Sequence, residues 1–423
     1  MWGEKMKNKG LWIAVLWIGV LLCSVCLPVS ASTEQSPPAE YDAYETYTQL
    51  EAFVTANPLR QAGSAGAASA KEWLKNRMIS FGYAAEDFSE DSFFGYSENG
   101  GTLTYTNLTV KRRYDATKRT VVIGAHYDNA SETGSTGALD NASGIAALLS
   151  IAKTTVEKTY DFNVVFAFFD AEEAGLLGSE RFVSALSQQE KDRILLYINL
   201  DTIACGEYLY VYGEDRPTAF ERFFAQASHG LSTGVVKESP SNKRVTYSYY
   251  GLDGNLFYHV GQASDNSSFK KAGIPAVTFF SGNWESSLAG YVESSVAESV
   301  MHTPKDTIDT LKALYGIGFV YKTETVCNTV LTALQSEEFL TVAENARDEM
   351  IPDFWRNTLW RAGISLGLVA VIAAFAWLYY RKLKKDSYFG SADLPRRGWM
   401  KQPDAEDIFE FGGKDECKAG WYG

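Results

Sequence analysis

Cysteine is scarce in this chain, with five in 423 residues. Cys23 and Cys26 fall in an N-terminal apolar run and Cys417 lies near the C-terminus, so only Cys205 and Cys327 belong to the middle of the chain. That excludes a disulfide-framed scaffold and a cysteine-rich zinc ribbon, and it leaves room for at most one disulfide there. Positive charge is also in short supply. The formal net charge is -13, whereas a nucleic-acid partner would require a basic face to neutralise phosphates. Both ends of the chain are slightly basic, so the acidity lies between them. There it favours solubility, and it also suits cationic ligands or metals. No internal repeat or low-complexity block is present. At 46% hydrophobic and 22% charged, the composition is that of a globular protein with one large domain or two ordinary ones.

Two apolar runs stand out. Lys5, Lys7 and Lys9 precede Leu11–Leu27, and Pro28-Val29-Ser30-Ala31-Ser32 follows. A basic stretch, an apolar stretch and small residues predict a signal peptide over residues 1–31, cleaved after Ala31, with an uncleaved anchor as the alternative. Leu22 and Val25 precede the two cysteines, where a lipoprotein signal would carry a small residue. Residues 32–44, with Pro37-Pro38, read as a linker. The second run, Ala362–Tyr380, carries no charge and is long enough to cross a bilayer core. Trp377, Tyr379 and Tyr380 sit at its end, and Arg381, Lys382, Lys384 and Lys385 follow. The positive-inside rule then places residues 381–423 in the cytosol, and the globular part outside the cell, joined by a juxtamembrane segment over 341–361.

Residues 45–340 alternate short apolar runs with helical patterns. Thr120–His126, Asn163–Phe169, Ile194–Leu200 and Pro275–Ser281 read as buried strands. Ala68–Phe81, Gly144–Lys158 and Leu176–Leu186 read as helices, the second capped by Asn141 or Ser143, and Thr307–Leu334 reads as largely one helix. Continuous apolar strands separated by helices predict an α/β fold: a three-layer α/β/α sandwich around a mostly parallel mixed sheet, with one C-terminal transmembrane helix.

Polar residues appear where these strands stop. The first ends in His126-Tyr127-Asp128, the second runs into Asp170-Ala171-Glu172-Glu173, and the third into Asn199-Leu200-Asp201. In open α/β sheets, ligands bind outside the carboxyl ends of the strands. Asp140 lies in a loop before a helix and His302 in a loop before the last one. Two imidazoles and several carboxylates without a thiolate suit zinc, and a shared carboxylate can hold two ions close together. Each residue alone also has a plain structural reading. A histidine at a strand end can simply pack, Glu-Glu can be a solvated helix start, and Asp140 can be a turn or cap residue.

Together the motifs resemble the zinc exopeptidase family of secreted leucyl aminopeptidases, glutamate carboxypeptidases and glutaminyl cyclases. The matching stretches are GAHYDN (124–129), GALDNASGIAALL (137–149), FAFFDAEEAGLLGSERFV (166–183), NLDTIA (199–204), ASDNSSFKKAGIPAVTFF (263–280) and HTPKDTID (302–309). The resemblance implies two zinc ions. Asp140 would bridge them, His126 and Asp201 would complete one, and Glu173 and His302 the other. It makes Glu172 the general base and Asp128 the carboxylate that orients His126. Where the family often has Ser-Asp-His, this chain has Ser264-Asp265-Asn266, which touches a pocket or supporting role near Asp265. His229 and His259 match no ligand.

The expected activity is removal of N-terminal residues from peptides. Two alternatives stand beside it: a one-zinc glutaminyl cyclase-like acyltransferase, which would not need all five ligands, and a non-catalytic receptor ectodomain, which would be expected to lose them.

Overall fold

The three apolar runs that end in His126, Phe169 and Leu200 lie side by side, because each is apolar on both faces and satisfies its backbone only between other strands. The structure, a computed structural model, describes residues 41–96, 101–213, 219–238, 246–250, 256–260, 264–285 and 292–389. The signal peptide expected over 1–31, the linker residues 32–40 and the tail beyond 389 lie outside the described residues. Two compact units divide the chain, residues 1–352 and 353–423.

The first unit begins with α1 (Glu45–Ala56), α2 (Ala65–Ser80), β1 (Phe88–Tyr96), β2 (Thr102–Val110), β3 (Thr120–His126), α3 (Ala142–Thr155) and β4 (Asn163–Phe169). It continues through α4 (Leu177–Ala185), α5 (Gln188–Arg193), β5 (Ile194–Leu200), β6 (Tyr208–Tyr212), α6 (Ala219–Ala227) and β7 (Val236–Glu238). A separate hairpin of β8 (Thr246–Tyr250) and β9 (Leu256–Val260) follows, then α7 (Asn266–Lys271), β10 (Ala276–Gly282), α8 (Ile308–Tyr315) and α9 (Gly318–Gln335). The last helix, α10, runs Phe339–Phe389.

Eight strands form one sheet in the order β1-β2-β4-β3-β5-β10-β6-β7. The central four, β4, β3, β5 and β10, are parallel, while β2 and β6 flank them antiparallel. His126 pairs with Phe169 and Leu200 with Phe279, so the four carboxyl ends finish along one edge. Side chains alternate across the sheet. Val121, Ile123 and Ala125 join the core shared with α1, α3 and α9, while Val122 packs with Val165, Tyr197 and Phe269 beneath α4 and α7. The expected three-layer sandwich is what forms.

Helix α3 lies against the sheet and buries nearly every residue, as its apolar sequence on all sides requires. Asn141 caps it by accepting from the Gly144 amide at 3.0 Å. Gly144 permits the close approach to β5, since a Cβ there would sit 2.2 Å from the Leu200 carbonyl oxygen.

One reading needs correction. The helix expected over Thr307–Leu334 is two, α8 and α9, because Gly316 at φ +53° ends the first. Cys205 and Cys327, whose pairing the sequence leaves open, are both buried and not joined by a disulfide. The hairpin β1–β2 and the flanking strands β6 and β7 lie beyond those expected, since β1 and β2 mix polar and aromatic residues while β6 (YLYVY) and β7 (VKE) are short. In the second unit, Gly363–Lys385 is helical, and long and apolar enough to cross a membrane.

Candidate metal centre

Parallel strands ending together bring distant residues to one edge. His126 is the last residue of β3, Asp201 follows β5 directly, and Glu172 and Glu173 come just after β4. Asp140 precedes α3, and His302 stands in the loop before α8. The Asp140 carboxylate lies between the histidines. Its Oδ1 is 3.2 Å from His126 Nε2, and its Oδ2 is 3.0 Å from His302 Nε2. His126 Nε2 is also 3.6 Å from Asp201 Oδ1, and His302 Nε2 is 3.1 Å from Glu173 Oε2. Two groups able to hold a metal ion result, His126–Asp140–Asp201 and Asp140–Glu173–His302. The His126 side chain is 1% exposed and that of His302 53%, so the second group is the one open to solvent.

Supporting carboxylates hold the loops that carry these side chains. Asp128 accepts the consecutive amides of Glu172 and Glu173, both at 3.1 Å, and its Oδ1 lies 3.4 Å from His126 Nδ1. Asp306 accepts the amides of Leu139 at 2.6 Å and Asp140 at 3.1 Å. Glu293 accepts those of Val300 at 2.8 Å and Met301 at 3.2 Å, immediately before His302. Three buried carboxylates thus each grip two successive N–H groups beside a predicted ligand. Beneath them, fully buried Arg60 donates to the carbonyls of Tyr127, Thr136 and Gly137 at 2.6–2.7 Å. Burial lowers its guanidinium pKa to about 10, with Asp306, Asp128 and Asp140 opposing that, so it stays charged at neutral pH.

Such pinning is needed because the backbone is strained here. Ala171 (φ 59°), Thr202 (φ 53°) and His302 (φ 57°) all occupy the left-handed region without being glycine. Ala171 precedes Glu172, Thr202 follows Asp201, and His302 is itself in the site. Thr202 is held from two sides: its amide reaches Asn141 Oδ1 at 3.2 Å, and its carbonyl accepts from Ser281.

The electrostatics describe a cluster short of positive charge. Burial pushes Glu172 well above its ordinary range, His126 opposes this, and Asp265, Asp201 and Glu173 add to it. Burial likewise raises Glu173 to about 7, with the Asp140 charge adding. Hydrogen bonds to Asp140 and Glu173 raise His302 to about 11. Asp265 is fully buried, neither of its oxygens has a hydrogen-bond partner, and burial raises it to about 7. Glu173 Oε1 is likewise buried and unpartnered. Unpaired carboxylates crowded in a partly buried crevice fit divalent cations, and imidazole with carboxylate is a donor set that zinc accepts.

A sign follows for pH. Glu173, Asp265, Asp170 and Asp306 all rise to about 7, with burial the largest cause, and His302 rises to about 11. Each binds its proton more tightly folded than unfolded. The carboxyl contribution to stability is full below roughly pH 4 and lost as pH passes 7; that of His302 is full below about 6.5 and lost toward 11. With chelator present, the urea midpoint should therefore fall between pH 5 and 9, and saturating zinc should flatten the curve. A midpoint that climbs with pH in chelator contradicts this.

All eight residues singled out from the sequence lie at this edge or against it. His259 falls in β9, and His229 lies just past α6, neither in the two groups. Missed were Arg60, Glu293 and Asp306. Asp306 stands inside the stretch HTPKDTID, where its spacing from His302 was a usable signal; Glu293 has no motif around it.

Residues 107–315 match Peptidase family M28. Aminopeptidase YwaD of Bacillus subtilis (strain 168) is 31% identical over 192 residues, which is 45% of this chain and 36% of that relative, so the alignment spans about a third of its length. Among solved structures, a zinc aminopeptidase from Bacillus subtilis superposes with a TM-score of 0.53 at 16% identity, covering 70% of this chain and 95% of that one. The glutaminyl cyclase of an Acidobacteriales bacterium gives 0.53 at 18%, covering 74% and 98%. At such identities these two likenesses are of fold alone.

Proposed function

We propose that this chain, whose residues 107–315 belong to Peptidase family M28, is a two-zinc aminopeptidase that removes N-terminal residues from peptides. The observation that carries the reading is Asp140, which turns one oxygen toward each of two histidines, at 3.2 and 3.0 Å. A carboxylate in that position suits a bridge between two ions, with His126 and Asp201 completing one side and Glu173 and His302 the other. Bound zinc would supply Lewis acidity, polarising the scissile carbonyl and making water a better nucleophile at neutral pH.

The chain's own residues do the rest. Glu172 takes a proton from the attacking water and returns it to the departing amine. Asp128, whose Oδ1 lies 3.4 Å from His126 Nδ1, keeps base and ligand in register with that ring through the amides of Glu172 and Glu173. Asp265, fully buried, acts on the base through its charge. The open His302 side admits substrate.

The cyclase reading is weaker because a single-metal site would leave one of the two groups without purpose, and the fold, shared by both classes, does not decide. A receptor ectodomain is weaker because ligands and base are all present. With the span Gly363–Lys385 ending in Arg381, Lys382, Lys384 and Lys385, the catalytic domain faces outward from the membrane and the tail inward.

In the test, the full-length protein is assayed in detergent on amino-acid anilides. Excess chelator should remove nearly all hydrolysis, and zinc should restore it. Hydrolysis that survives chelation sinks the metal mechanism. Cyclisation of N-terminal glutaminyl peptides without anilide hydrolysis would favour the acyltransferase.

A further inference from the structure

At the opposite end of the sheet, around the start of β4 and the end of α3, lies a cavity of about 180 Å³. Asn163, Val164 and Phe166 of β4 line it, and the last of these stands six residues before Glu172, so it is a distinct place. Arg112, Arg113, Lys118 and Lys158 line it, with Tyr83 and Tyr160 among the walls, and no aspartate or glutamate does. In a chain of net charge -13, a wall whose ionisable charges are all positive is the reverse of what the average surface offers.

The local charges are not neutralised. Arg112 and Arg113 share one carboxylate, Glu157, at 3.0 and 3.2 Å, and its side chain is 72% exposed. Lys118 donates to the carbonyl of Tyr160 at 2.9 Å, a neutral partner. Lys158 has no ion-pair partner among the described residues. Asp115, close in sequence, is turned onto Thr117. Four cations therefore face one carboxylate. The Tyr160 hydroxyl is buried and has no hydrogen-bond partner, which leaves a neutral donor beside them.

We propose that this cleft binds a phosphate group. Two adjacent guanidinium forks and two ammonium groups match the several oxygens and the charge of a phosphate, which a single carboxylate would use only in part. The volume is that of about six waters at roughly 30 Å³ each, enough for a phosphate and the first atoms of its ester but not for a folded peptide segment. The group can belong to a soluble phosphate or to a lipid headgroup, since the same chain carries a helix able to cross a bilayer. The site is independent of the peptidase reading.

The test uses full-length protein in a nonionic detergent. Inorganic phosphate, short-chain phosphatidic acid and short-chain phosphatidylcholine are titrated calorimetrically at low salt, against the parent chain and Lys118→Ala/Lys158→Ala. Phosphate or phosphatidic acid should bind the parent, at least ten-fold more weakly to the double variant, and less tightly as salt rises. Binding by inorganic phosphate marks a soluble ligand; binding by phosphatidic acid alone marks a lipid headgroup. Arg113→Gln, at an exposed position, serves as a second variant if the first melts early. The proposal falls if neither phosphate compound binds, if the variants bind as well as the parent, or if phosphatidylcholine binds equally. Anilide hydrolysis read on the same samples reports separately on the metal centre.

Discussion

Glu172→Gln should hydrolyse amino-acid anilides roughly 10²- to 10⁴-fold more slowly than the parent, the range that a positioned general base contributes, with its zinc content unchanged. The loss should fall on kcat, because the side chain is proposed to act on the moving proton and not on the resting substrate. Glutamine keeps the shape and removes the ability to take a proton. The loop should stay in place, because it is the backbone amide of Glu172, not its carboxyl, that is tied to Asp128. Without cations, burial and the charges of Asp265, Asp201 and Glu173 outweigh His126 and hold the Glu172 carboxyl far above its usual range. Two bound divalent ions reverse that field and return it toward ionisation at neutral pH. The acidic limb of the parent's pH profile should accordingly report this carboxyl, and the variant should lack it. Retention of more than about a tenth of the parent's kcat, outside the range for a base, would make Glu172 a bystander. So would loss of zinc, which would recast it as a ligand.

The parts of the fold legible from sequence are those whose physics is local. Thr120–His126, Asn163–Phe169 and Ile194–Leu200 were readable to the residue, because a strand buried on both faces must be apolar throughout and ends where polar residues begin. The chemistry at their ends was readable for the same reason. By contrast, the break at Gly316 depends on one backbone angle inside an otherwise helical pattern. Arg60 has no local pattern that marks it as buried, and only the fold turns it inward onto three carbonyls. Glu293 acts on His302 through two amides nine residues or fewer away, a geometry with no sequence periodicity. The basic cleft escaped for a different reason: its cations come from the β2–β3 loop and the end of α3, which only the folded sheet brings together. The candidate ligands lie in motifs, as do the supporting Asp128 and Asp306, whereas Glu293 is marked only by its charge and burial.

Asp140→Ala is the most damaging single change the site allows, and its comparison with Glu293→Gln separates bridging from support. Removing the Asp140 carboxylate takes a donor from both groups at once and leaves His126 and His302 without the oxygens at 3.2 and 3.0 Å. The expected result is purified protein with less than about a tenth of its zinc and, as two ions' worth of activation goes, hydrolysis at or near background. Fold should survive, because the Asp140 amide, not its side chain, carries the bond to Asp306. Glu293→Gln touches one side only. Its amide nitrogen cannot accept, so Val300 or Met301 loses a partner, and His302 loosens at its strained φ of 57°. Zinc affinity on the Asp140–Glu173–His302 side should drop roughly 10- to 100-fold, as for lost supporting partners elsewhere, while the His126 side keeps its ion. Competition against a chelator of known affinity should therefore give two sites of unequal strength in Glu293→Gln and none in Asp140→Ala. Equal weakening of both sites in Glu293→Gln would mean that the two groups are held as one rigid body. Full zinc occupancy in Asp140→Ala would remove the bridge on which the two-ion reading stands.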